Sequence, residues 1–378
     1  MMEAYEHFEL LINDRIVKTP VAIASMAGIV DAAYVLERAD HVGVAFIGGY
    51  SIDQPTLDAS RAMAEEGRTE FVYDDPVEEL VRQVELMKQS TVVPGINLRG
   101  SAPAAYLQIA EALKDSVIYE IDAHCRQKPM IDAGCGEYLL KHTGALVETI
   151  RALKSAGVTV SVKIRAGVSA DDRRLARMIW EAGADLLHVD LMDFGYQKLR
   201  QIRNASPIML IANNSITTFD RAMDMFSHGA DLISVARKSD PWTLSGLDAA
   251  ITRYAAESGW YNAPKQLCRG GDIRALAFCC MPVKDCPLMP TLKKIGMSRD
   301  EYIKLKVSIV ENTPLAGGEG TCFGSLAWCC KSSSPCLFRN MTLQKIGLTL
   351  HDYMRYKHRM ADKIMNRVFH ADPDDDAS

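Results

Sequence analysis

The sequence predicts a (β/α)8 TIM barrel followed by a small, mainly helical, cysteine-rich C-terminal domain. Three observations carry that prediction. Eight short apolar runs alternate with helical patterns between Val21 and Ala236. The runs are near-continuous Val, Ile and Leu, which marks strands buried on both faces and therefore parallel. Past residue 260 the alternation stops, and eight of the ten cysteines fall between positions 268 and 336. Eight βα units close naturally into a barrel. An open doubly wound sheet is the structural alternative, but no Gly-x-Gly-x-x-Gly follows any strand, which counts against its dinucleotide-binding form.

Residues 1–19 read as a lead-in with a small hairpin. The run Val21–Met26 ends in Ala27-Gly28 and precedes a helix holding Asp31 and Leu36. Val42–Ile47 ends in Gly48-Gly49; a polar connection and a helix over Pro76–Lys88 then lead to the run Thr91–Leu98. A helix over Ala104–Leu113 precedes strand Val117–Ala123, which enters the polar stretch Glu120–Leu140. Helix 143–156 precedes strand Val158–Ile164, and helix 171–182 precedes strand Leu186–Val189. A short helix over Tyr196–Ile202 leads to Ile208–Ala212, helix 217–228 to Leu232–Ala236, and a last helix starts at Pro241. The expected divisions are a barrel over 1–260, a cysteine-rich domain over 261–370 and an acidic tail over 371–378.

Composition narrows the class. A length of 378 residues with 48% hydrophobic and 24% charged residues suits a globular protein of one large and one smaller domain. The net charge of −5 lacks the basic footprint of a dedicated nucleic-acid binder. No apolar run is long enough to span a bilayer and no basic-then-apolar leader opens the chain, so a cytoplasmic protein without membrane contact is expected.

In a barrel, chemistry sits at the C-terminal ends of the strands. Read in order, those ends offer Ser25-Met26-Ala27-Gly28, then Asn97, then His124 and Cys125, Lys163 and Arg165, Asp190 and Asp193, Asn213-Asn214-Ser215, and Ala236-Arg237-Lys238. Singly, each has a structural explanation: a solvated lysine, asparagines in turns, a cysteine serving as a small hydrophobe. As a set they suit a planar, polar-edged, phosphorylated ligand, and flavin mononucleotide (FMN) fits. Lys163 beside the ring would stabilise its anionic reduced form. Arg237 would bind the phosphate at the last two βα loops. Cys125 would donate a proton to a substrate carbon, with His124 beside it, and His124 and Arg126 would lower the thiol pKa.

Several segments match a known family in order and spacing. They are Ile23-Ala-Ser-Met-Ala-Gly-Ile-Val-Asp31, Gly95-Ile-Asn-Leu-Arg-Gly100, Tyr119-Glu-Ile-Asp122 with Gly134-Cys-Gly136 and Leu139-Leu140, Ser161-Val-Lys-Ile-Arg165, Gly183-Ala-Asp185, Ile211-Ala-Asn213 with Ile216, and Asp231 with Ala236-Arg237 and Pro241-Trp242. Together they resemble the dihydrouridine synthase family of FMN barrels, with dihydroorotate dehydrogenases more distant. The resemblance implies FMN contacts from Met26, Asn97, Lys163, Asn213, Ala236 and Arg237. It also implies a tRNA or small-molecule substrate, for which Arg126, Arg165 and Asp190 at the strand ends are this chain's own candidate contacts. This chain departs from the family on the substrate side. The turn after strand four reads His124-Cys-Arg-Gln-Lys128, the family's strand-six histidine falls on Asp190, and strand seven ends Asn213-Asn-Ser215.

The tail contains an internal repeat. Phe278-Cys-Cys280-x5-Cys286 is followed by Thr291-Leu-Lys-Lys-Ile-Gly with Tyr302 and Lys306; Trp328-Cys-Cys330-x5-Cys336 is followed by Thr342-Leu-Gln-Lys-Ile-Gly with Tyr353 and Lys357. With Cys268 and Cys322 upstream, each unit supplies four thiols: Cys268, Cys279, Cys280 and Cys286, then Cys322, Cys329, Cys330 and Cys336. Four thiolates suit a tetrahedral zinc or a 4Fe–4S iron–sulfur cluster, and adjacent cysteines sit more easily on the larger cluster. Disulfides or unliganded thiols remain the alternative. Ser298 with Glu301, and Thr349 with Asp352, start the repeated helices as caps. A flavin-type barrel joined to this repeat also resembles the methanogenesis marker protein 9 group of methanogenic archaea, which implies an anaerobic archaeal cytoplasm.

The expected function is an FMN-dependent oxidoreductase acting on a C=C or C–C bond. Two 4Fe–4S clusters, or zinc in their place, would occupy the tail; the clusters would feed electrons to the flavin, with a redox protein as partner, in the service of methanogen metabolism. The alternative is a non-catalytic metal-cluster assembly or docking factor that keeps the barrel as a scaffold.

Overall fold

The structure, a computed structural model, describes residues 8, 10–12, 15–206 and 208–258, and beyond them 289, 292–293, 295–317, 321, 324–329, 336–350, 352–353, 356–357, 360, 363–364 and 367. The chain divides into two compact units, Met1–Ile251 and Thr252–Ser378.

In the first unit the expected hairpin forms from β1 (Leu10–Ile12) and β2 (Arg15–Val17), with Leu10 opposite Val17. Eight further strands follow: β3 (Val21–Ile23), β4 (Val44–Ser51), β5 (Val93–Arg99), β6 (Ile118–Ala123), β7 (Thr159–Arg165), β8 (Leu186–Asp190), β9 (Met209–Asn213) and β10 (Leu232–Val235). They pair in chain order, and β10 returns to β3 in parallel register, Val235 opposite Ile23, to close the barrel. Every residue of β3, β4 and β6 is buried. That is why these strands read as unbroken apolar runs rather than as alternation.

The helices are α1 (Ala32–Leu36), α2 (Gln54–Glu65), α3 (Pro76–Met87), α4 (Pro103–Leu113), α5 (Lys128–Asp132), α6 (Tyr138–Lys141), α7 (Thr143–Ser155), α8 (Asp172–Glu181), α9 (Gly195–Arg203), α10 (Phe219–Ser227) and α11 (Pro241–Ser258). Their starts are written in the residues. Asp31, Asp53, Asp75 and Asp171 each accept from first-turn amides, and proline opens the first turn of α2, α3 and α4. Helix α2 corrects the expectation of a polar connection before Pro76. Asp53 and Thr56 cap each other reciprocally, and the helix buries Leu57, Ala59 and Met63. One tie is deeply buried: Arg203, 1% exposed, reaches Asp231 at 2.6 Å and the Gly229 and Ile208 carbonyls at 2.9 and 2.8 Å.

In the second unit, helix Arg299–Val310 starts with a reciprocal capping box between Ser298 and Glu301. Thr349 and Asp352 make the matching pair, the Thr349 N–H donating to Asp352 Oδ2 at 2.9 Å and the Asp352 N–H to Thr349 Oγ1 at 3.0 Å. Helix Leu337–Lys345 lies between them in sequence. The repeat has a buried signature: Tyr302 and Lys306 in one copy, Tyr353 and Lys357 in the other, all 0% exposed. Lys306 Nζ lies 4.6 Å from the Trp328 ring centre, and Lys357 Nζ donates to the carbonyl oxygens of Ala327 and Cys329 at 3.0 and 3.4 Å.

Of the expected metal ligands, Cys329 and Cys336 are described; Cys268, Cys279, Cys280, Cys286, Cys322 and Cys330 lie outside the described residues, as does the acidic run 371–378. Among the described residues no group of three or more His, Cys, Asp or Glu could hold a metal ion, and no helix is long and apolar enough to cross a membrane.

Candidate active site at the mouth of the barrel

The C-terminal strand ends open on a cavity of about 820 Å³. Every cofactor and substrate residue expected in the barrel reaches its wall: Met26, Asn97, His124, Cys125, Arg126, Lys163, Arg165, Asp190, Asn213, Ala236 and Arg237. Asp193, read beside Asp190, is not on that wall.

Lys163 comes from β7 and is only 5% exposed. Its Nζ donates to Ser25 Oγ at 2.8 Å and to the Ser25 carbonyl at 3.3 Å. No carboxylate pairs with it among the described residues. A buried ammonium held by two neutral oxygens favours an electron-rich ligand beside it. Arg237 and Lys238, after β10, are exposed on the same wall with Ser215, Ile216 and Thr217. They put two cations and a polar loop where the last βα loops of such barrels bind phosphate. Gly49 supplies a close approach: a Cβ there would lie 2.7 Å from Asn97 Oδ1.

The stretch after β6 is a braced loop. Asp122 Oδ1 accepts from the backbone N–H groups of His124 and Cys125 at 2.9 and 3.0 Å. Its Oδ2 accepts from Arg99 Nε at 3.0 Å, and Arg99 also binds Glu70 at 2.6 Å. Gly136 N–H donates to the Asp122 carbonyl at 3.1 Å, and Glu137 N–H to the Cys125 carbonyl at 2.8 Å. Gly136 has φ +66°, and a Cβ there would sit 2.2 Å from the Cys125 carbonyl oxygen. Only glycine closes this loop.

The loop separates its two candidate acids. Cys125 is 8% exposed and packs against Ala59, Met63 and Met130. Burial pushes its thiol up, against the Arg99 guanidinium and with the help of the Asp122 carboxylate. This corrects the expectation that His124 and Arg126 lower it: desolvation outweighs the nearby cation, and that cation is Arg99. His124 is more open. Its Nε2 lies 2.8 Å from Asp190 Oδ2 and 3.3 Å from Arg165 Nη2. Burial would raise the Asp190 carboxyl, but the His124 hydrogen bond and charge, the Met192 N–H and Arg165 hold it at about 2. Arg165 also pairs with Glu137 at 3.1 Å.

Sequence reading missed a polar layer two residues further into the barrel. Glu120 accepts from Asn97 Nδ2 at 2.8 Å, from Ser161 Oγ at 3.3 Å and from His188 Nδ1 at 2.7 Å. His188 Nε2 meets Ser234 Oγ at 2.7 Å, and Asn213 Nδ2 meets the same hydroxyl at 2.8 Å. The signal was present: Glu120 and His188 stand inside strands that are otherwise apolar, and a buried strand has no solvated face for a charge.

A dihydrouridine synthase family model matches residues 68–269, just over half of the 378-residue chain. Two relatives come from Methanocaldococcus jannaschii, both described as uncharacterized. MJ0115 is 47% identical over 107 residues, 28% of this chain and 69% of that protein. MJ0144 is 28% identical over 229 residues, 57% of this chain and 88% of that protein. Among solved structures, DHODH from Eimeria tenella in complex with ferulenol superimposes with a TM-score of 0.51 at 14% identity, covering 69% of this chain and 88% of that one. A point mutant of FabK from Thermotoga maritima gives a TM-score of 0.40 at 17% identity, covering 59% and 63%. The DHODH likeness is one of fold. The family model spans β5 to β10 and the loops that carry Lys163, Asp190 and Arg237, and on that match the chain belongs to the dihydrouridine synthase family.

Proposed function

We propose that this chain is an FMN-dependent oxidoreductase of the dihydrouridine synthase kind, acting on a C=C or C–C bond of a tRNA uridine or a small molecule. The observation that carries the reading is Lys163: a buried ammonium, bonded among the described residues to Ser25 alone, on the wall of a cavity ringed by Asn97, Asn213 and Arg237. FMN, when bound, would exchange a hydride with a substrate carbon. Lys163 would favour negative charge on the ring, Met26, Asn97, Asn213 and Ala236 would line it, and Arg237 would hold the phosphate.

The substrate side would be His124, Cys125, Arg126, Arg165 and Asp190. A reduced C=C bond takes a hydride at one carbon and a proton at the next. His124, held by Asp190 through Nε2, has no partner at Nδ1 among the described residues and would supply that proton from Nδ1 when the ring carries a hydrogen on both nitrogens. Cys125 stays protonated at neutral pH, which suits a donor and not a nucleophile. Arg126 and Arg165 would meet an anionic or carbonyl-bearing substrate.

The tail thiols Cys268, Cys279, Cys280, Cys286, Cys322, Cys329, Cys330 and Cys336 would hold two 4Fe–4S clusters, or zinc, linked to a redox partner in a methanogen cytoplasm. The duplication of the four-thiol pattern supports one such site in each repeat. The test is anaerobic purification with absorbance and metal analysis, followed by Lys163→Met. Flavin and iron in the wild type, with weakened flavin binding in the variant, agree with the proposal. A protein carrying neither flavin nor metal refutes it.

A further inference from the structure

Six polar side chains from six consecutive strands meet under the cavity: Asn97, Glu120, Ser161, His188, Asn213 and Ser234. All but Asn213 are at most 1% exposed. A barrel interior is ordinarily filled by branched apolar side chains, and a buried carboxylate persists only where it is paired and hydrogen-bonded.

The direction of every bond in the layer follows from Glu120. Burial alone would raise its carboxyl, but His188, Lys163 and the Asn97 amide hold it below the ordinary range. An ionised carboxylate only accepts. The group 2.8 Å from Oε1 is therefore the NH2 of Asn97, and His188 Nδ1, 2.7 Å from Oε2, carries the proton. Burial pushes His188 down, so Nε2 is bare and accepts from the Ser234 hydroxyl. Ser234 Oγ then accepts from Asn213 Nδ2, and the Ser234 carbonyl, which can only accept, takes the same NH2 at 3.1 Å. Asn213 directs its NH2 to two interior acceptors, and Asn97 directs one N–H to Glu120. Neither Oδ1 has a partner among the described residues, and both asparagines line the cavity.

We propose that the Glu120–His188 pair is a positioning element that presents Asn97 Oδ1 and Asn213 Oδ1 to the cavity as acceptors, selecting a ring edge that bears an N–H donor, such as the flavin imide. The inference rests on the FMN reading. It adds that the preference for a donor edge is set by residues that never touch the ligand.

The experiment uses the full chain and FMN itself, with affinity read by quenching of FMN fluorescence and the bound midpoint potential by dye-equilibrated reduction. Glu120→Gln removes both the charge and the one-way polarity. FMN affinity should fall about tenfold, roughly 1.4 kcal/mol, and the potential should move positive. Ser234→Ala removes the hydroxyl that links His188 to Asn213 and keeps the charge, leaving Asn213 Nδ2 only the backbone carbonyl of residue 234 among the described residues. Affinity should fall severalfold with the potential unchanged. Wild-type affinity and potential in both variants, with only a lower melting temperature, overturn the inference. If Glu120→Gln does not fold, wild-type affinity in Ser234→Ala overturns it alone. A wild-type chain that takes up no FMN removes the flavin reading itself, and this inference with it.

Discussion

Asp190→Asn tests the substrate side of the cavity without deleting a side chain. The introduced amide can still accept from His124 through its carbonyl oxygen, so the change removes charge and little volume. The carboxyl is held at about 2 against an ordinary value of 3.8, and its side chain is 15% exposed. That difference corresponds to about 2 kcal/mol of stability at neutral pH. The sign follows from the depression. The folded state binds the proton less readily than the unfolded one, so the contribution is complete above about pH 5, is roughly halved near pH 3 and vanishes below about pH 1. Urea unfolding of wild type and variant at neutral pH and near pH 3 measures it. The variant should be about 2 kcal/mol less stable at neutral pH, with the gap shrinking in acid. Equal stability at neutral pH, or a gap that stays constant into acid, would refute the assigned pairing of Asp190 with His124.

Three other perturbations have defined outcomes. Gly136→Ala places a Cβ 2.2 Å from the Cys125 carbonyl at a φ of +66°, so it should cost upwards of about 2 kcal/mol in a urea melt; a neutral substitution would contradict the loop geometry. Cys125 and Cys135 are buried with raised thiol pKa values, so iodoacetamide at neutral pH should leave both unmodified in the native protein and label them in denaturant, as read by peptide mass spectrometry. Arg203→Met leaves Asp231 without its guanidinium, and thermal or urea unfolding should show a loss of about 3–5 kcal/mol; less than about 1 kcal/mol would mean that the pair is solvated.

The barrel was legible because each strand is buried on both faces and so stands out as an apolar run; all eight runs coincide with strands. The site was legible for a related reason. Strand ends converge at one mouth, so Asn97, Lys163, Asp190, Asn213 and Arg237 could be grouped without knowing a single distance. What failed to read depended on packing between distant segments. Cys125 looked activated by its sequence neighbours His124 and Arg126, whereas Ala59 and Met63 of α2 and Met130 of α5 bury it and Arg99 is the cation beside it. Helix α2 was passed over although Asp53-Gln-Pro-Thr56 is a start signal, because the polar residues that follow hid its buried stripe. The Glu120–His188 layer could be suspected from charges inside apolar strands, but its partners are fixed only once six strands close on one another.

Every role proposed at the barrel mouth depends on the cavity binding FMN. Titration of the purified, flavin-stripped chain with FMN under anaerobic conditions, followed by absorbance and by loss of free FMN fluorescence, tests it most directly. Saturable, stoichiometric uptake with micromolar or tighter affinity is expected, weakened by Lys163→Met and by Arg237→Ala. Absence of uptake by a folded wild-type chain, or uptake indifferent to both substitutions, would contradict it.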